Sequence, residues 1–422
     1  MKINFVNHAS ISIHSGSVHL LIDPWFSGQV FNNSWRLLDE VPIPDEMLVD
    51  VSHVGISHEH PDHFHIPTLK RIASVAKTKP TLIFPWRMNP AFQTVVEDLG
   101  FHFCLAQRDG LPVELSDDFK VSWYGEVPGD NNTIIINCEN KIIVNQNDHY
   151  TGDDTIRKIK EAFPKIDMFL TQFSLAGYYG NRDDPNTIKS RGTQYHIDRV
   201  KKYCKEFSPV CLVPIASYVY FCDPYNQYLN DYAVTPKRIF EEMVALGQNV
   251  QLVMPRDEIY FDSQLILNRN KTNLPLLDDL FKTSNKPINH VQSEDLEALR
   301  KFTQEAIQDV PMIYRFFRGY KGVVPVPKFA VFFAGGILRI KLLDYEDQCL
   351  TVNLFNPSKS KIEACNHLFP VDLEAPSHQL SYLLKFPWGE DTFNITACLN
   401  RRSKKAWEFP MIVAQRFRKH YQ

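Results

Sequence analysis

The sequence predicts an α/β domain followed by a smaller α+β domain. Three observations carry that expectation. The chain has 422 residues, more than one hydrophobic core usually organises. Up to residue 262, short apolar runs of buried-strand length alternate with amphipathic stretches of helical period. From residue 293 onward, a helical stretch is followed by a series of strand patterns. We therefore expect domains over 1–262 and 293–422, joined by a polar linker over 263–292 that is rich in Asn, Lys and Ser.

In chain order, residues 7–13 and 18–25 alternate like strands around Ser15-Gly16-Ser17 and read as an opening hairpin. Residues 26–50 form a long loop carrying Phe26, Phe31 and Trp35, which either walls a site or simply connects. Residues 51–56 read as a short buried strand. A helix begins near Pro67 and runs to Val75, because proline suits the first helical turn. Residues 81–85 form a strand, and 91–99 a helix ended by Gly100. Strands follow at 102–106, 111–115, 119–124, 133–136, 141–147, 167–173, 210–217 and 250–255. Helices are expected over 195–207 and 236–246. In the second domain Ser293 caps a helix that ends at Asp309. Strands follow at 329–333, 338–343, 349–354 and 362–365, then a helix at 379–384 and a strand at 392–398.

One stretch carries chemistry. Ser57-His58-Glu59-His60-Pro61-Asp62-His63 follows directly on a buried strand. His58 and His60 are two apart, so in an extended segment they point to one side and can hold one ion. Asp62 and His63 follow the turn set by Pro61 and can reach a second ion. Interleaved imidazoles and carboxylates at fixed spacing read as a two-metal signature, with ions about 3.5–4 Å apart. A solvated histidine-rich loop needs no such spacing.

The motif, together with His8-Ala9-Ser10 and Ile22-Asp23-Pro24-Trp25 in the hairpin before it, resembles the metallo-β-lactamase superfamily. That resemblance implies an αββα sandwich for the first domain and extends the ligand set. Asp148, at the end of an apolar strand, matches the aspartate that bridges the two ions, although such an aspartate also forms turns. Asp62 and Asp148 are the implied catalytic carboxylates. Glu126 stands where most members carry a third histidine. Asp130 competes with it for that role, and a surface carboxylate is the plain alternative for Glu126. The final histidine of most members is replaced by Ser217-Tyr218, and His149 or a water is left to fill the gap. The aromatic and amide-rich segment 218–231 follows, and Tyr218, Tyr220, Asn226 and Asn230 are its candidate substrate contacts. Core packing explains the rings of that segment equally well.

The ligand set His58, His60, Asp62, His63, Glu126 and Asp148 resembles the di-iron β-hydroxylase branch. Asn145-Gln146-Asn147-Asp148-His149, the segment from Pro214, and Phe386-Pro387-Trp388-Gly389 are similar to the CMP-N-acetylneuraminate hydroxylase family. That family carries a Rieske cluster, which needs C-x-H and C-x-x-H. Here Cys365-Asn366-His367 supplies one C-x-H, and the sequence has no C-x-x-H. The resemblance thus implies an O₂-dependent hydroxylase with two metal ions, iron by preference and zinc or manganese otherwise. Its substrate would be a polar small molecule, a sugar or nucleotide-sugar among them, and its electrons would come from an external donor. A zinc hydrolase of esters or phosphodiesters is the alternative. A non-catalytic metal-binding scaffold is a third reading, opposed by the intact motif.

Composition bounds the rest. A formal net charge of −3 gives no electrostatic case for nucleic-acid binding. No run of apolar residues is long enough for a membrane span, and the N-terminus lacks the layout of a signal peptide. The 8 cysteines are scattered without a C-x-x-C pair, which leads us to expect reduced thiols and a cytoplasmic location.

Overall fold

The structure, a computed structural model, describes residues 1–40, 42–86, 91–108, 110–126, 131–283, 286–310, 317–320, 323–327, 336–366 and 368–420. The opening hairpin of Lys2–Asn7 and Ser10–Ser15 leads into Val18–Ile22. These strands form one side of a seven-stranded sheet in the order Glu258–Ile259, Lys2–Asn7, Ser10–Ser15, Val18–Ile22, His53–Gly55, Thr81–Phe84, His102–Leu105. The last four strands run parallel. A six-stranded sheet is ordered Cys211–Ile215, Met168–Gln172, Lys141–Asn147, Asn132–Cys138, Phe119–Gly125, Val113–Ser116. Both sheets feed one buried cluster, in which Ile11, Ile13 and Leu20 of the first meet Ile134, Val144 and Leu170 of the second. Trp123 also ties them together, donating its indole N–H to the Ile56 carbonyl at 2.8 Å.

Helices complete the sandwich. His65 caps Ile66–Val75 by accepting from the Thr68 amide, and Leu69 and Ile72 of this helix join Val54 and Leu82 of the first sheet in a separate cluster. Helices Asp153–Ala162 and Tyr195–Phe207 bury Ile156, Ile159, Val200 and Tyr203 against the second sheet's cluster. The fold of the first domain is thus the αββα sandwich that the motif implies.

The expected linker is largely a helix, Ser263–Leu280, capped by Asp262 accepting from the Leu265 amide. Its buried residues are Ile266, Asn270, Asn273 and Leu277, spaced for one helical face. The amides that gave the stretch its polar look are internal. Asn270 accepts from the Leu252 amide at 2.8 Å and donates to the Val250 carbonyl at 2.6 Å, and Asn273 donates to the Leu252 carbonyl at 2.9 Å. The same contacts correct the expected strand at 250–255, where the ladder contact among the described residues is an isolated bridge from Val250 to Leu212. Side chains satisfy backbone groups there that a neighbouring strand would otherwise take.

The C-terminal region contains a five-stranded sheet, ordered Lys361–Ala364, Gln348–Asn353, Ile337–Leu342, Leu373–Ala375, Asn400–Arg401. Helices Leu296–Asp309, Ser377–Lys385 and Lys404–Ala414 share its core cluster. Asp295, not Ser293, caps the first of these by accepting from the Ala298 amide at 2.8 Å. The strand expected at 392–398 is replaced by a helix, Gly389–Ile395. Its Thr and Ile residues suit a strand, but Glu390 and Asp391 in the first turn favour a helix N-terminus. The strand expected at 329–333 lies outside the described residues. Cys349 and Cys365 are paired as a disulfide while the other six cysteines are free, so the expectation of reduced thiols fails for that pair. Among the described residues no helix is long and apolar enough to cross a membrane.

The two parts meet closely. Ile395 and Ala397 join Trp35, Tyr178, Phe221 and Leu229 in one buried cluster. Buried Asp223 lies 2.7 Å from His378 Nε2 and accepts from Gln379 Nε2 at 3.1 Å.

Candidate metal centre

The site gathers at the carboxyl ends of strands. Lys2–Asn7 ends in His8, Val18–Ile22 in Asp23, His53–Gly55 leads into the His58–His63 stretch, and Lys141–Asn147 ends in Asp148. Backbone strain marks the same place, since His8, Asp23 and Asn147 have φ of 43°, 44° and 64°. Non-glycine residues pay for that left-handed conformation only where their surroundings fix it.

Two groups of donors result, His8 with Asp62 and His63, and His58 with His60 and Asp148. In the first, Asp62 Oδ2 lies 3.3 Å from both His8 Nε2 and His63 Nε2. In the second, His58 Nε2 faces His60 Nδ1 at 2.9 Å. Asp148 Oδ2 stands 3.7 Å from His58 Nε2 and 3.7 Å from His63 Nε2, between the groups.

Supporting contacts set the orientations. Asp23 Oδ1 accepts from the Ser57 amide at 2.8 Å, and its Oδ2 lies 3.1 Å from His63 Nδ1. Asn147 Nδ2 donates to Asp23 and, at 3.0 Å, to Ser57 Oγ. Ser57 Oγ lies 3.0 Å from His58 Nδ1. With Nδ1 engaged, His63 and His58 present Nε2 to the centre, as ligand histidines do. Trp25, just after Val18–Ile22, and Phe31, in the stretch 26–50, pack edge-on against His8 and His60 at 5.5 and 5.8 Å, and that stretch, expected as a loop, carries the short strands Gln29–Val30 and Trp35–Leu37.

The electrostatics ask for cations. Burial lowers the pKa of His8, outweighing Asp62 beside it, and holds His58 well below the usual histidine range. Burial opposes charge on His63 too, yet Asp62, Asp148 and Asp23 outweigh it and hold His63 well above its ordinary value. Burial would likewise raise Asp62, but the His63 and His8 imidazoles hold it well below the carboxylate range. Asp62 Oδ1, His63 Nε2 and Asp148 Oδ1 are buried without a hydrogen-bond partner. Orphaned lone pairs that converge within buried groups of imidazole and carboxylate fit metal ions.

His58, His60, Asp62, His63 and Asp148 are thus brought together, and His8 joins them. Sequence reasoning read His8 as a strand residue. Its signal is positional, because it closes a strand at the end where Asp148 closes another. Glu126 is not in either group. Its Oε1 accepts from the Gly152 amide at 2.8 Å, at the start of helix Asp153–Ala162. His149 Nδ1 is taken by Thr133 Oγ1 at 2.9 Å, and burial pushes its pKa down to about 4. Asp130 lies outside the described residues. Ser217 serves the backbone, accepting from the Phe173 and Ser174 amides at 3.1 and 3.0 Å. The next residue back, Ala216, donates its amide to the His8 carbonyl at 2.6 Å.

The expected substrate contacts are engaged elsewhere. Tyr218 donates to the Val253 carbonyl at 2.6 Å and packs on Phe5, and Tyr220 donates to the Pro287 carbonyl at 3.3 Å. Asn226 donates to the Thr396 carbonyl at 3.1 Å, and Asn230 bonds the Phe221 backbone. They are framework, because a buried polar group first satisfies nearby backbone. The cavity that opens on His60 and Asp148 is lined instead by Tyr150, Tyr178, Tyr179, Arg191 and Tyr195, with Ile395 of the C-terminal region, and holds about 460 Å³.

The family profile described as a β-lactamase superfamily domain matches residues 2–144. A Mycolicibacterium smegmatis protein named as a Rieske 2Fe-2S iron-sulfur protein is 27% identical over 262 residues, 59% of this chain and 50% of that protein. The cytidine monophosphate-N-acetylneuraminic acid hydroxylase of Xenopus laevis is 35% identical over 74 residues, 17% of this chain and 12% of that protein. The chain therefore spans half or less of the length of these curated relatives. The crystal structure of a possible metal-dependent hydrolase from Veillonella parvula is 12% identical, covers 61% of this chain and 98% of its own, and superposes with a TM-score of 0.45. Residues 2–144 thus match a β-lactamase superfamily domain, and the two groups of donors built on that sandwich could each hold a metal ion.

Proposed function

We propose that the chain is a two-metal enzyme that hydroxylates a small polar molecule with O₂, using electrons from a separate donor. The observation that carries the two-metal reading is Asp148, whose Oδ2 stands 3.7 Å from a histidine of each group. Bound there, a pair of ions supplies Lewis acidity and, if the ions are iron, the redox capacity that O₂ chemistry needs. The chain's residues do the rest. Asp23 and Ser57 orient His63 and His58, Trp25 and Phe31 keep bulk water off the donors, and the cavity beside His60 and Asp148 receives the substrate. The names of the relatives support oxidation, since one is a hydroxylase and the other is named for an electron-carrying cluster. Because Cys365 of the lone C-x-H is paired with Cys349, we assign the reductant to a partner protein.

Hydrolysis is the second reading, and His8 favours it. The carboxylate-rich set expected from sequence exchanges Glu126 for an imidazole, giving four histidines and two aspartates, and such a set suits zinc. Metal analysis of protein purified without added metal, then anaerobic reduction and exposure to O₂, separates the two. Iron that is reoxidised rapidly on O₂ exposure supports the hydroxylase. Zinc-loaded protein that ignores O₂ and cleaves an ester or phosphodiester overturns it in favour of the hydrolase.

A further inference from the structure

The wall of the cavity facing the metal donors is cationic and aromatic. Of its lining residues only Asp148, at the metal end, is acidic. Arg191, an exposed residue, also lines the cavity, with Tyr178 and the Asp184 carboxylate within electrostatic reach of its guanidinium. It sits in a π-helical turn, Ser190–Gln194, wedged between helices Pro185–Lys189 and Tyr195–Phe207. Such turns are rare and gather at functional sites. Behind Tyr150 and Gln172, both lining residues, lies Arg199, only 6% exposed. Its guanidinium stacks 4.5 Å from the Tyr150 ring and donates to the Gln172 carbonyl, yet its Nε and Nη1 have no partner. His196, also lining and 3% exposed, has an unpartnered Nδ1. Buried N–H groups are rarely left unpaired, and a guanidinium pairs best with a carboxylate or phosphate.

The aromatic part is equally specific. Tyr150, Tyr179 and Tyr195 are 50%, 50% and 43% exposed and line this one cavity. The Tyr150 and Tyr195 rings lie 5.9 Å apart and nearly parallel. Exposed rings gathered in a concave site mark ligand binding, because they offer flat apolar area with a polar tip. The volume of about 460 Å³ suits a small molecule rather than a polymer.

We infer that the substrate of this site is an anionic ring compound, held by Arg191 through a carboxylate or phosphate group and by the tyrosine rings across its face. This rests on the proposed enzymatic reading of the metal centre and names its substrate class. The ring spans the cavity, so that the anionic end lies at Arg191 and the opposite end at His60 and Asp148.

The test uses zinc-loaded protein, so it reads binding without any O₂ chemistry. Phenylphosphonate, benzoate and benzyl alcohol are titrated by calorimetry into the wild type, Arg191→Gln and Tyr195→Leu. Both anions should bind at least about tenfold more tightly than the alcohol, the weight of a charge-assisted bond. Arg191→Gln should bring them to the level of the alcohol with metal content unchanged, and Tyr195→Leu should weaken all three. The anion that loses more in Arg191→Gln identifies the carboxylate or phosphate form. Equal binding of anions and alcohol, no binding of any probe, or unchanged anion affinity in Arg191→Gln overturns the proposal. If the protein proves inert towards O₂ while this pattern holds, the reaction class fails and the substrate class stands.

Discussion

Asp23 and His63 form a wholly buried pair, with Asp23 Oδ2 3.1 Å from His63 Nδ1 and neither side chain exposed. The contact fixes which ring nitrogen faces the centre, and Asp23 belongs to neither donor group. Asp23→Asn should therefore weaken metal affinity about 10–100-fold, the usual cost of losing such a support. Competition with a chromogenic chelator measures it, with circular dichroism showing the fold intact. Wild-type affinity in the variant removes Asp23 from the site.

His8 and Glu126 are the rival sixth donors. His8→Ala should lose about one ion of two per chain, whereas Glu126→Ala should keep both, because a two-ion site loses an ion when a ligand goes. Elemental analysis against protein concentration decides. The reverse pattern returns Glu126 to the ligand set, and an equal loss in Asp130→Ala places Asp130 there as well.

The helix Ser263–Leu280 gives a paired test of the linker expectation. Leu277 has no exposed surface, while its neighbour Leu276 is 50% exposed. Leu277→Ala should cost about 2–5 kcal/mol of stability, and Leu276→Ala no more than about 0.5 kcal/mol. Denaturant midpoints in parallel samples report both, and equal small effects would restore a linker.

His19 sets a pH dependence remote from the metals. Burial pushes its pKa down to about 4, and its Nε2 lies 2.9 Å from Ser12 Oγ. Its folded value is below the unfolded one near 6.5, so the unfolded chain binds the proton more readily and stability rises with pH. The contribution is full above about 6.5 and is lost as pH falls towards 4. His19→Gln should flatten the fall in thermal midpoint between neutral and acidic buffer. A slope equal to that of the wild type assigns the effect to other groups.

Much of this was legible in the residues. The His58–His63 spacing announces metal chemistry because few other purposes need those types at that interval, and alternation of apolar runs gives an α/β domain that the resemblance narrows to a sandwich. What failed has a common cause. Asn270, Asn273, Tyr218, Asn226 and Asn230 look like surface or pocket residues, yet each satisfies backbone far away in sequence. Polarity shows in a sequence, and the distant carbonyl or amide that absorbs it does not. His8 was missed for the converse reason, since a lone histidine in a tight turn carries no spacing to betray it. The aromatic segment 218–231 stands out in the sequence, but only the fold shows that Tyr178 and Tyr179 line the cavity instead.

The donors come from three places along one rim, His8 after the first strand, the His58–His63 stretch after His53–Gly55, and Asp148 after Lys141–Asn147. A rim built this way makes ligands exchangeable over evolutionary time. An imidazole can be lost from one strand end and regained from another while both sheets, which carry the stability, stay unaltered. His8 is offered from the first strand, and its carbonyl accepts from Ala216, just after the strand Cys211–Ile215. Chemistry on this scaffold is thus open to change by single substitutions at the rim, at little risk to folding.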